Sequence, residues 1–344
     1  MVFRDKKLGE IGEEELVGII IKYLDPPKPY EFLPPGDDAR DFLPTGPKLV
    51  FSSDAYSFSS LKLPWRTWRD AGWAGVVGCI SDHFSKGSIP YIAMIDLGLS
   101  REMRLADFID LIEGIKEALS TYNIVYAGGD LNSSKDPWIS ISVIGYTTAK
   151  KPPRRSGARP GDKILVTGLY GAMGIVSLDG IDEASRHKWI IEATRRPRPQ
   201  FETDIVVAHY YRWIDASMDV SDGLSYTLYV MAREAGLSVR LTSPPRYFDE
   251  LEKYCGERKD PDRCVIERCL AGGEEYGVVM AVSEKYIGEI TEMLENYDVP
   301  YAIIGEFIEG GTPGEILWRG EKTEIVRWDQ FLGWNKKGNQ QFLI

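Results

Sequence analysis

Residues 105–130 read LADFIDLIEGIKEALSTYNIVYAGGD, and this stretch decides the expected fold. Its first part spaces apolar residues such as Phe108, Leu111, Ile112 at i, i+3 and i+4, which predicts an amphipathic helix over 105–121. A short apolar strand over 123–126 follows and leads to a Gly-Gly-Asp turn. The stretch therefore predicts a helix and a strand of one sheet.

The segments on either side complete a first domain. Strand-like runs occupy 49–52, 91–97 and 138–146, and a second helical pattern over 65–80 contains Gly72, Gly75 and Gly78. Each glycine weakens an isolated helix by about 1 kcal/mol relative to alanine, so we expect this helix to pack closely against a neighbouring backbone. The order strand, helix, strand, helix, strand, strand predicts an α+β domain with a mixed sheet over 1–150.

A second domain is expected over 151–344. Residues 147–161 are polar and rich in proline, glycine and basic residues, which is typical of a linker between domains. The strand over 163–168 then opens the second domain. Further strands are predicted at 237–242, 277–282, 301–307 and 315–318, and helices at 186–194, 201–210, 224–235 and 284–296.

Composition narrows the class of protein. The formal net charge is -11 and no basic stripe is evident, which argues against a nucleic-acid binder. No run approaches the ~18 to 20 apolar residues of a membrane span, and the N-terminus has no apolar stretch of the signal-peptide kind, so we expect a cytoplasmic protein. An acidic protein that handles anions needs cations as mediators, which favours bound Mg²⁺.

The cysteines and histidines give no zinc pattern. The 4 cysteines include no C-x-x-C pair, and the 3 histidines form no H-E-x-x-H pattern. Cys79 lies in an apolar stretch and is expected to be buried. Cys255, Cys264 and Cys269 leave two alternatives open, a disulfide or free thiols.

Six aspartates lie at turn or strand-end positions with glycine or serine within two residues. Small neighbours let a backbone approach a ligand closely, and aspartate is a hard oxygen ligand suited to Mg²⁺. One such turn means little, but the set predicts a site that holds several divalent cations around phosphates. The six are Asp38, Asp54, Asp82, Asp130, Asp219 and Asp222.

Two of these motifs allow a structural and a functional interpretation. In Asp219-Val220-Ser221-Asp222-Gly223-Leu224, Ser221 or Asp222 caps a helix, or the helix N-terminus points at phosphate or its metal. Gly128-Gly129-Asp130 is a bare turn, or a place where nucleotide phosphates approach the main chain and Asp130 reaches the metal. Neither the P-loop nor the G-x-G-x-x-G fingerprint is present.

Two further motifs have the same pair of interpretations. Gly272-Gly273-Glu274-Glu275-Tyr276 is a turn with solvated acids, or Glu274 contacts a polar substrate group. Trp334 belongs to the core, or it anchors a terminal segment over a site, where an aromatic ring attracts a cationic ring with ~0.5 to 2 kcal/mol.

Taken in order along the chain, these motifs resemble the thiamine-monophosphate kinases of the aminoimidazole-ribonucleotide-synthetase-like superfamily. The resemblance implies a two-domain α+β fold, in which the N-terminal mixed sheets of two subunits form a barrel and the C-terminal domain is an α/β sandwich. It implies a homodimer that binds ATP and several Mg²⁺ ions. Further matching segments are Ser52-Ser53-Asp54, Arg155 to Asp162, Val166-Thr167-Gly168 and Arg196-Pro197-Arg198-Pro199.

The resemblance also implies roles for individual residues. Asp130 and Asp222 match the positions closest to the chemistry, and Glu274 and Trp334 match positions that hold the thiamine moiety. The nucleotide contacts would be Gly129, Asp130, Arg155 and Ser221. The metal ligands would be Asp38, Ser52, Ser53, Asp54, Asp82, Asp130, Asp219 and Asp222.

The expected reaction is phosphorylation of thiamine monophosphate by ATP. The chain departs from the family in its acceptor pocket, because no histidine follows Asp54 and the family's Gly-Gly-Glu-Asp-Tyr has Glu275 in place of the aspartate. One alternative is a purine-pathway-like ligase of the same superfamily, whose characteristic loop is not matched at 52–59. Another is a non-catalytic nucleotide-binding dimer, which should have lost its metal ligands.

Overall fold

The computed structural model describes residues 6–11, 13–24, 46–329 and 333–337, which divide into two compact units. One unit contains residues up to 83 together with 89–148, and the other contains 84–88 and the chain from 149 onward. None of the helices in the described ranges has the length and apolar character that a bilayer crossing requires.

The first unit is a mixed sheet with helices. The strand order is β1-β5-β2-β3; β5 is antiparallel to β1 and β2, whereas β3 and β4 both run parallel to β2. The predicted α+β class and mixed sheet are therefore confirmed. Its elements are α1 (Glu13–Leu24), β1 (Lys48–Ser57), α2 (Phe58–Leu61), α3 (Trp68–Ser85), β2 (Ile89–Leu99), α4 (Leu105–Thr121), β3 (Val125–Tyr126), β4 (Leu131–Ser133) and β5 (Trp138–Thr147).

Helices α3 and α4 touch at the level of their backbones. A Cβ atom built on Gly72 would lie 2.3 Å from the carbonyl oxygen of Leu111, and one built on Gly114 would lie 1.9 Å from that of Arg69. No other residue fits at either position without moving a main chain. The glycine-rich helix thus packs against a neighbouring backbone, as its sequence predicts.

The second unit is built on a seven-stranded sheet in the order β12-β11-β8-β10-β6-β9-β7, with a separate hairpin of β13 and β14. Its strands are β6 (Lys163–Thr167), β7 (Ile214–Asp219), β8 (Ser238–Leu241), β9 (Val278–Val282), β10 (Tyr301–Ile308), β11 (Ile316–Trp318), β12 (Glu321–Lys322), β13 (Ile325–Asp329) and β14 (Gly333–Lys337). Its helices are α5 (Ala172–Leu178), α6 (Ile181–Ala184), α7 (Lys188–Arg195), α8 (Glu202–Tyr210), α9 (Leu224–Ala235), α10 (Asp249–Cys255), α11 (Pro261–Ala271) and α12 (Ile287–Asn296).

Two local features refine the sequence predictions. The polar segment before β6 packs against β7 instead of standing clear of it: Arg154 forms a bridge with Ala216, and a Cβ on Gly157 would lie 2.0 Å from the carbonyl oxygen of Asp215.

Among the cysteines, Cys255 and Cys264 form a disulfide that joins α10 to α11. Cys79 and Cys269 are buried free thiols.

Candidate active site

The Gly128-Gly129-Asp130 turn lies directly on β2. Ile95 N donates to Gly128 O at 3.0 Å and Leu97 N donates to Asp130 O at 2.9 Å, so the turn is fastened along the strand. A Cβ atom on Gly129 would lie 1.8 Å from the carbonyl oxygen of Ile95, which leaves no room for a side chain. Gly129 and Asp130 are nevertheless exposed on their outer side. A ligand can therefore reach the main chain of this turn.

Asp96 holds this turn in place, and its role was not foreseen from the sequence. Its Oδ1 accepts a hydrogen bond of 2.7 Å from the backbone N of Asp130. Asn132 Nδ2 donates to Asp130 Oδ2 at 2.5 Å, which orients the carboxylate from the other side. The sequence does contain a signal for this role: Asp96 lies inside the apolar strand 89–99, and a carboxylate in such a position needs a hydrogen-bond partner.

The alternation of β1 separates the two adjacent serines. Ser52 and Asp54 share the half-buried face of the strand, whereas Ser53 points to the exposed face. Ser52 Oγ donates to the carbonyl oxygen of Cys79 at 3.1 Å. Ser53 Oγ instead shares a 2.9 Å hydrogen bond with Ser142 Oγ. The two hydroxyls therefore lie on opposite faces of the sheet and have different hydrogen-bond partners.

Asp54 and Asp82 both lie close to the buried thiol of Cys79. Burial raises the pKa of Cys79 to about 12, and the charges of Asp54 and Asp82 add to that increase. β1 and α3 thus carry a serine hydroxyl and two carboxylates in the neighbourhood of Cys79, and hard oxygen donors of this kind suit Mg²⁺. Asp38, the remaining candidate in this half of the chain, lies outside the described residues.

In the second unit, backbone hydrogen bonds join the segment after β7 to the turn before β9. Glu274 N donates to Ser221 O at 2.8 Å, and Tyr276 N donates to Val220 O at 3.0 Å. Val220 N returns a 2.8 Å hydrogen bond to Gly277 O. The two motifs are about fifty residues apart in sequence, yet these bonds make them direct neighbours.

The start of α9 tests the N-cap interpretation of Ser221 and Asp222. The N-cap residue is Gly223, and no side-chain oxygen caps the helix there. The N-cap interpretation of Ser221 or Asp222 is therefore wrong. Asp219 is buried at the end of β7, while Ser221 and Asp222 are half-buried.

The C-terminal hairpin meets the same segment. Trp328 N on β13 donates to the carbonyl oxygen of Asp222 at 3.0 Å. Trp334 on β14 is paired with Trp328 in the hairpin register, so the candidate aromatic residue is on a strand joined to this segment. Arg155 follows the residue that bridges Ala216 of β7; it is exposed, with its Nε 3.7 Å from Glu234 Oε1 on α9.

A cavity of about 700 Å³ in the second unit adjoins the 272–277 turn. Charged side chains of both signs line it, among them Arg196, Arg198 and Glu274. Glu274 and Tyr276 have φ values of 53° and 45°, a left-handed conformation that costs a non-glycine residue of the order of 1 kcal/mol. Strain of this kind is common where a turn must present a side chain to a ligand.

Glu275 lies between those two strained residues, and the interpretation of this turn as one with solvated acids does not hold for its carboxyl group. Its carboxyl group is buried, and Oε1 accepts hydrogen bonds from Gly171 N at 2.8 Å and Met173 N at 3.1 Å. Oε2 has no hydrogen-bond partner among the described residues. Burial raises the pKa of Glu275 well above its usual range, although the backbone donors at 171–173 lower it.

The protein's carboxylates do not form a closed cage. Within the described ranges, no three His, Cys, Asp or Glu side chains are grouped closely enough to hold a metal ion. Mg²⁺ commonly keeps several waters and binds through one or two carboxylates together with substrate phosphates. The arrangement around Ser52, Asp54 and Asp82 fits that mode of binding.

This combination of fold and motifs defines a class. Residues 36–147 match the family model of the AIR synthase related protein, N-terminal domain, and residues 159–317 match that of the C-terminal domain. The chain belongs to the AIR synthase-related family.

Several relatives that are similar in sequence are thiamine-monophosphate kinases. A thiamine-monophosphate kinase of Pyrobaculum calidifontis is 28% identical over 291 residues, covering 83% of this chain and 88% of the relative. The Aquifex aeolicus thiamine-monophosphate kinase is 26% identical over 331 residues, covering 94% of this chain and 100% of the relative. A solved structure of AaThiL complexed with AMPPCP and TMP has a TM-score of 0.69 and 26% identity, and covers 94% of this chain and 99% of its own.

Proposed function

We propose that this protein is a kinase that transfers the γ-phosphoryl group of ATP to thiamine monophosphate, giving ADP and thiamine diphosphate. One observation carries this proposal. The segment 219–222, with its two aspartates, is hydrogen-bonded along its backbone to the Glu274 turn, which lines a cavity. Carboxylates suited to metal-bound phosphate therefore lie next to a pocket suited to an acceptor. The chain-long similarity to thiamine-monophosphate kinases supports this assignment.

Nucleotide and metal contacts are assigned within each unit separately. We assign phosphate contacts to the exposed backbone of Gly129 and to Ser221 and Arg155. Metal ligation is assigned to Asp54, Asp82, Asp130, Asp219 and Asp222, with Asp38 and the hydroxyls of Ser52 and Ser53. Mg²⁺, when bound, screens the repulsion between the two phosphates and stabilises the in-line transition state.

The acceptor needs positioning more than activation. The nucleophile is an oxygen of the acceptor phosphate, which is already ionised near neutral pH, so no strong general base is required. It attacks the γ-phosphorus, the bond to the bridging oxygen breaks, and ADP leaves with that electron pair. We propose direct transfer, in which Asp130 and Asp222 stay close to the reacting phosphates and no phosphoenzyme forms. A trapped aspartyl phosphate would contradict it.

The cavity beside Glu274 is the proposed acceptor pocket. Thiamine monophosphate carries a phosphate at one end and a cationic ring at the other. Arg196 and Arg198 offer cations to the phosphate, and Glu274 offers an anion to the ring. Trp334 is proposed as an aromatic partner of the same ring.

A homodimer is proposed through the sheet of the first unit. One face of that sheet has exposed apolar side chains on β1 and β2, and exposed Phe51 forms one row across the strands with half-buried Ile144 and Ile92. Phe51 is 67% exposed and Met94 49%. A second copy would bury this surface, which contributes ~25 cal/mol per Å². Light scattering that gave the 38.8 kDa mass of one chain would contradict the dimer. The proposed location is the cytoplasm.

A coupled ADP-release assay tests the activity. Thiamine monophosphate, thiamine and aminoimidazole-pathway precursors are compared at equal concentration with ATP and Mg²⁺. We expect turnover with thiamine monophosphate alone. Turnover with a purine precursor would instead support the ligase alternative. Nucleotide binding without ADP release with any acceptor would support the non-catalytic dimer.

The metal assignment has its own test in Asp130→Asn. The amide keeps the size of the side chain but removes the charge that a metal requires, so we expect kcat to fall by about 10²- to 10³-fold. Asp136→Asn, an exposed position on the following loop, is the matched control and should not change kcat. Full kcat in Asp130→Asn would refute the assignment.

A further inference from the structure

The carboxyl group of Glu275 connects two walls of the acceptor cavity. Gly168 and Leu169 from the loop after β6, together with Met173 at the start of α5, line one side, and the turn 274–276 lines another. Hydrogen bonds from Gly171 N and Met173 N to Glu275 Oε1 are the polar link between them. The link joins segments about a hundred residues apart, so it fixes the distance between the two walls.

The turn itself is built to hold this carboxyl group. A Cβ on Gly272 would lie 2.6 Å from Glu275 Oε2, so the glycine leaves the space that the carboxyl fills. On either side, Glu274 and Tyr276 have left-handed φ values. Strained residues persist only where the surroundings determine them, and the bonds of Glu275 are part of those surroundings.

The two carboxyl oxygens of Glu275 have different surroundings. The titratable groups that sense its charge are Tyr170, before α5, and Cys269, on α11; burial raises the pKa of both side chains, and the charge of Glu275 adds to that increase. Backbone amides stabilise Oε1, while Oε2 has no partner among the described residues. The connection to α5 therefore depends on Oε1 as an acceptor and does not require a negative charge.

We propose that Glu275 is a positioning residue for the phosphate acceptor: through Oε1 it clamps the 272–277 turn to the start of α5 and thereby fixes Glu274 against the substrate. The proposal rests on the proposed function for the identity of the acceptor, but the clamp itself does not. In this role Glu275 acts on the acceptor through its strained neighbour Glu274.

Amide hydrogen exchange tests the clamp without any substrate. Glu275→Gln keeps a carbonyl oxygen at the Oε1 position, whereas Glu275→Ala removes it. We expect exchange at Gly171 and Met173 to speed up by about tenfold or more in Glu275→Ala and to stay within about threefold of wild type in Glu275→Gln. Equal protection in all three proteins would overturn the clamp. If Glu275→Ala does not fold, Glu275→Asp, which is one methylene shorter and cannot span to both amides, replaces it.

Steady-state kinetics test the consequence for the acceptor. In Glu275→Ala we expect KM for thiamine monophosphate to rise by about tenfold while KM for ATP stays within about twofold, with recovery in Glu275→Gln. The exposed Glu250→Ala on α10 is the matched control. Equal increases in both KM values, or no recovery in Glu275→Gln, would overturn the positioning role. A wild-type protein inactive on thiamine monophosphate would refute the proposed function alone, since the exchange result would still stand.

Discussion

Two turns in this protein have the same sequence pattern but differ in backbone conformation and in burial. Gly128-Gly129-Asp130 and Gly272-Gly273-Glu274 are each a glycine pair followed by an acid. In the first, the glycines take the unusual conformations, with φ values of 114° and 157°, and the acid is exposed. In the second, both glycines are buried and the non-glycine residues Glu274 and Tyr276 carry the left-handed conformations.

The difference lies in what each turn presents. The first offers an open backbone, held from behind by Asp96, and suits a ligand that approaches the main chain. The second turn presents side chains to the cavity, and Glu275 holds the turn at a fixed distance from α5. It suits a ligand that is bound through one of its ends. A glycine pair alone does not distinguish these designs; the hydrogen bonds behind it do.

Gly129→Ala should separate the two turns most clearly. The new methyl would lie 1.8 Å from the carbonyl oxygen of Ile95, so the turn must move away from β2. A displacement near 1 Å at a site that positions a reacting group costs about 10²-fold, and we expect kcat/KM for ATP to fall by that factor. Gly128→Ala, with open space around its Cβ, is the control and should lose about tenfold or less through backbone strain. Equal losses would mean that contact with β2 does not matter.

Gly272→Ala should act on the acceptor side and more weakly. Its φ of -76° suits alanine, but the methyl would lie 2.6 Å from Glu275 Oε2, a side-chain atom that can shift. We expect KM for thiamine monophosphate to rise about fivefold with kcat nearly unchanged. Gly288→Ala on α12, where a Cβ meets no atom within 4 Å, provides the comparison. An effect on ATP kinetics instead would erase the distinction between the turns.

The smallest expected effect is a pH-dependent difference in stability. The pKa of Glu275 is raised by burial above its ordinary value of 4.5, so the folded protein holds this proton more tightly than the unfolded chain. The stability from Glu275 is therefore complete below its ordinary pKa and decreases as pH rises toward the folded-state pKa. Glu275→Gln has no such loss, so its Tm relative to wild type should increase by about 2–4 °C between pH 4 and pH 8. A difference in Tm that stayed constant between pH 4 and pH 8 would contradict the raised pKa of Glu275.

Periodicity and glycine spacing predicted much of the framework. The helix expected over 105–121 is α4, and the one expected over 224–235 is α9. The glycines of α3 predicted backbone packing because nothing else justifies their cost in a helix. In contrast, β7 was missed, since Ile214–Asp219 alternates weakly, and α11 was missed because its charged residues dilute the apolar pattern.

The candidate site was less accessible to sequence reasoning, for a physical reason. Residue types identify ligands, but the pairing of strands decides which of them share a surface. Ser52 and Ser53 look equivalent in sequence and lie on opposite faces of β1. Asp96 and Glu275 have roles that depend on partners 34 and 104 residues away, which no local pattern encodes.

The five residues 84–88 have a consequence for the time course of synthesis. They belong to the second unit, where Ser217 Oγ donates to the carbonyl oxygen of Ser85, and Lys86 Nζ reaches Ser217 O at 2.5 Å. A ribosome that adds ~5 to 20 residues per second makes residue 217 roughly 6 to 26 seconds after residue 88. During that interval residues 84–88 lack their hydrogen-bond partner Ser217. The end of α3 and the turn after it are therefore secured by these bonds only once the chain has been made as far as β7.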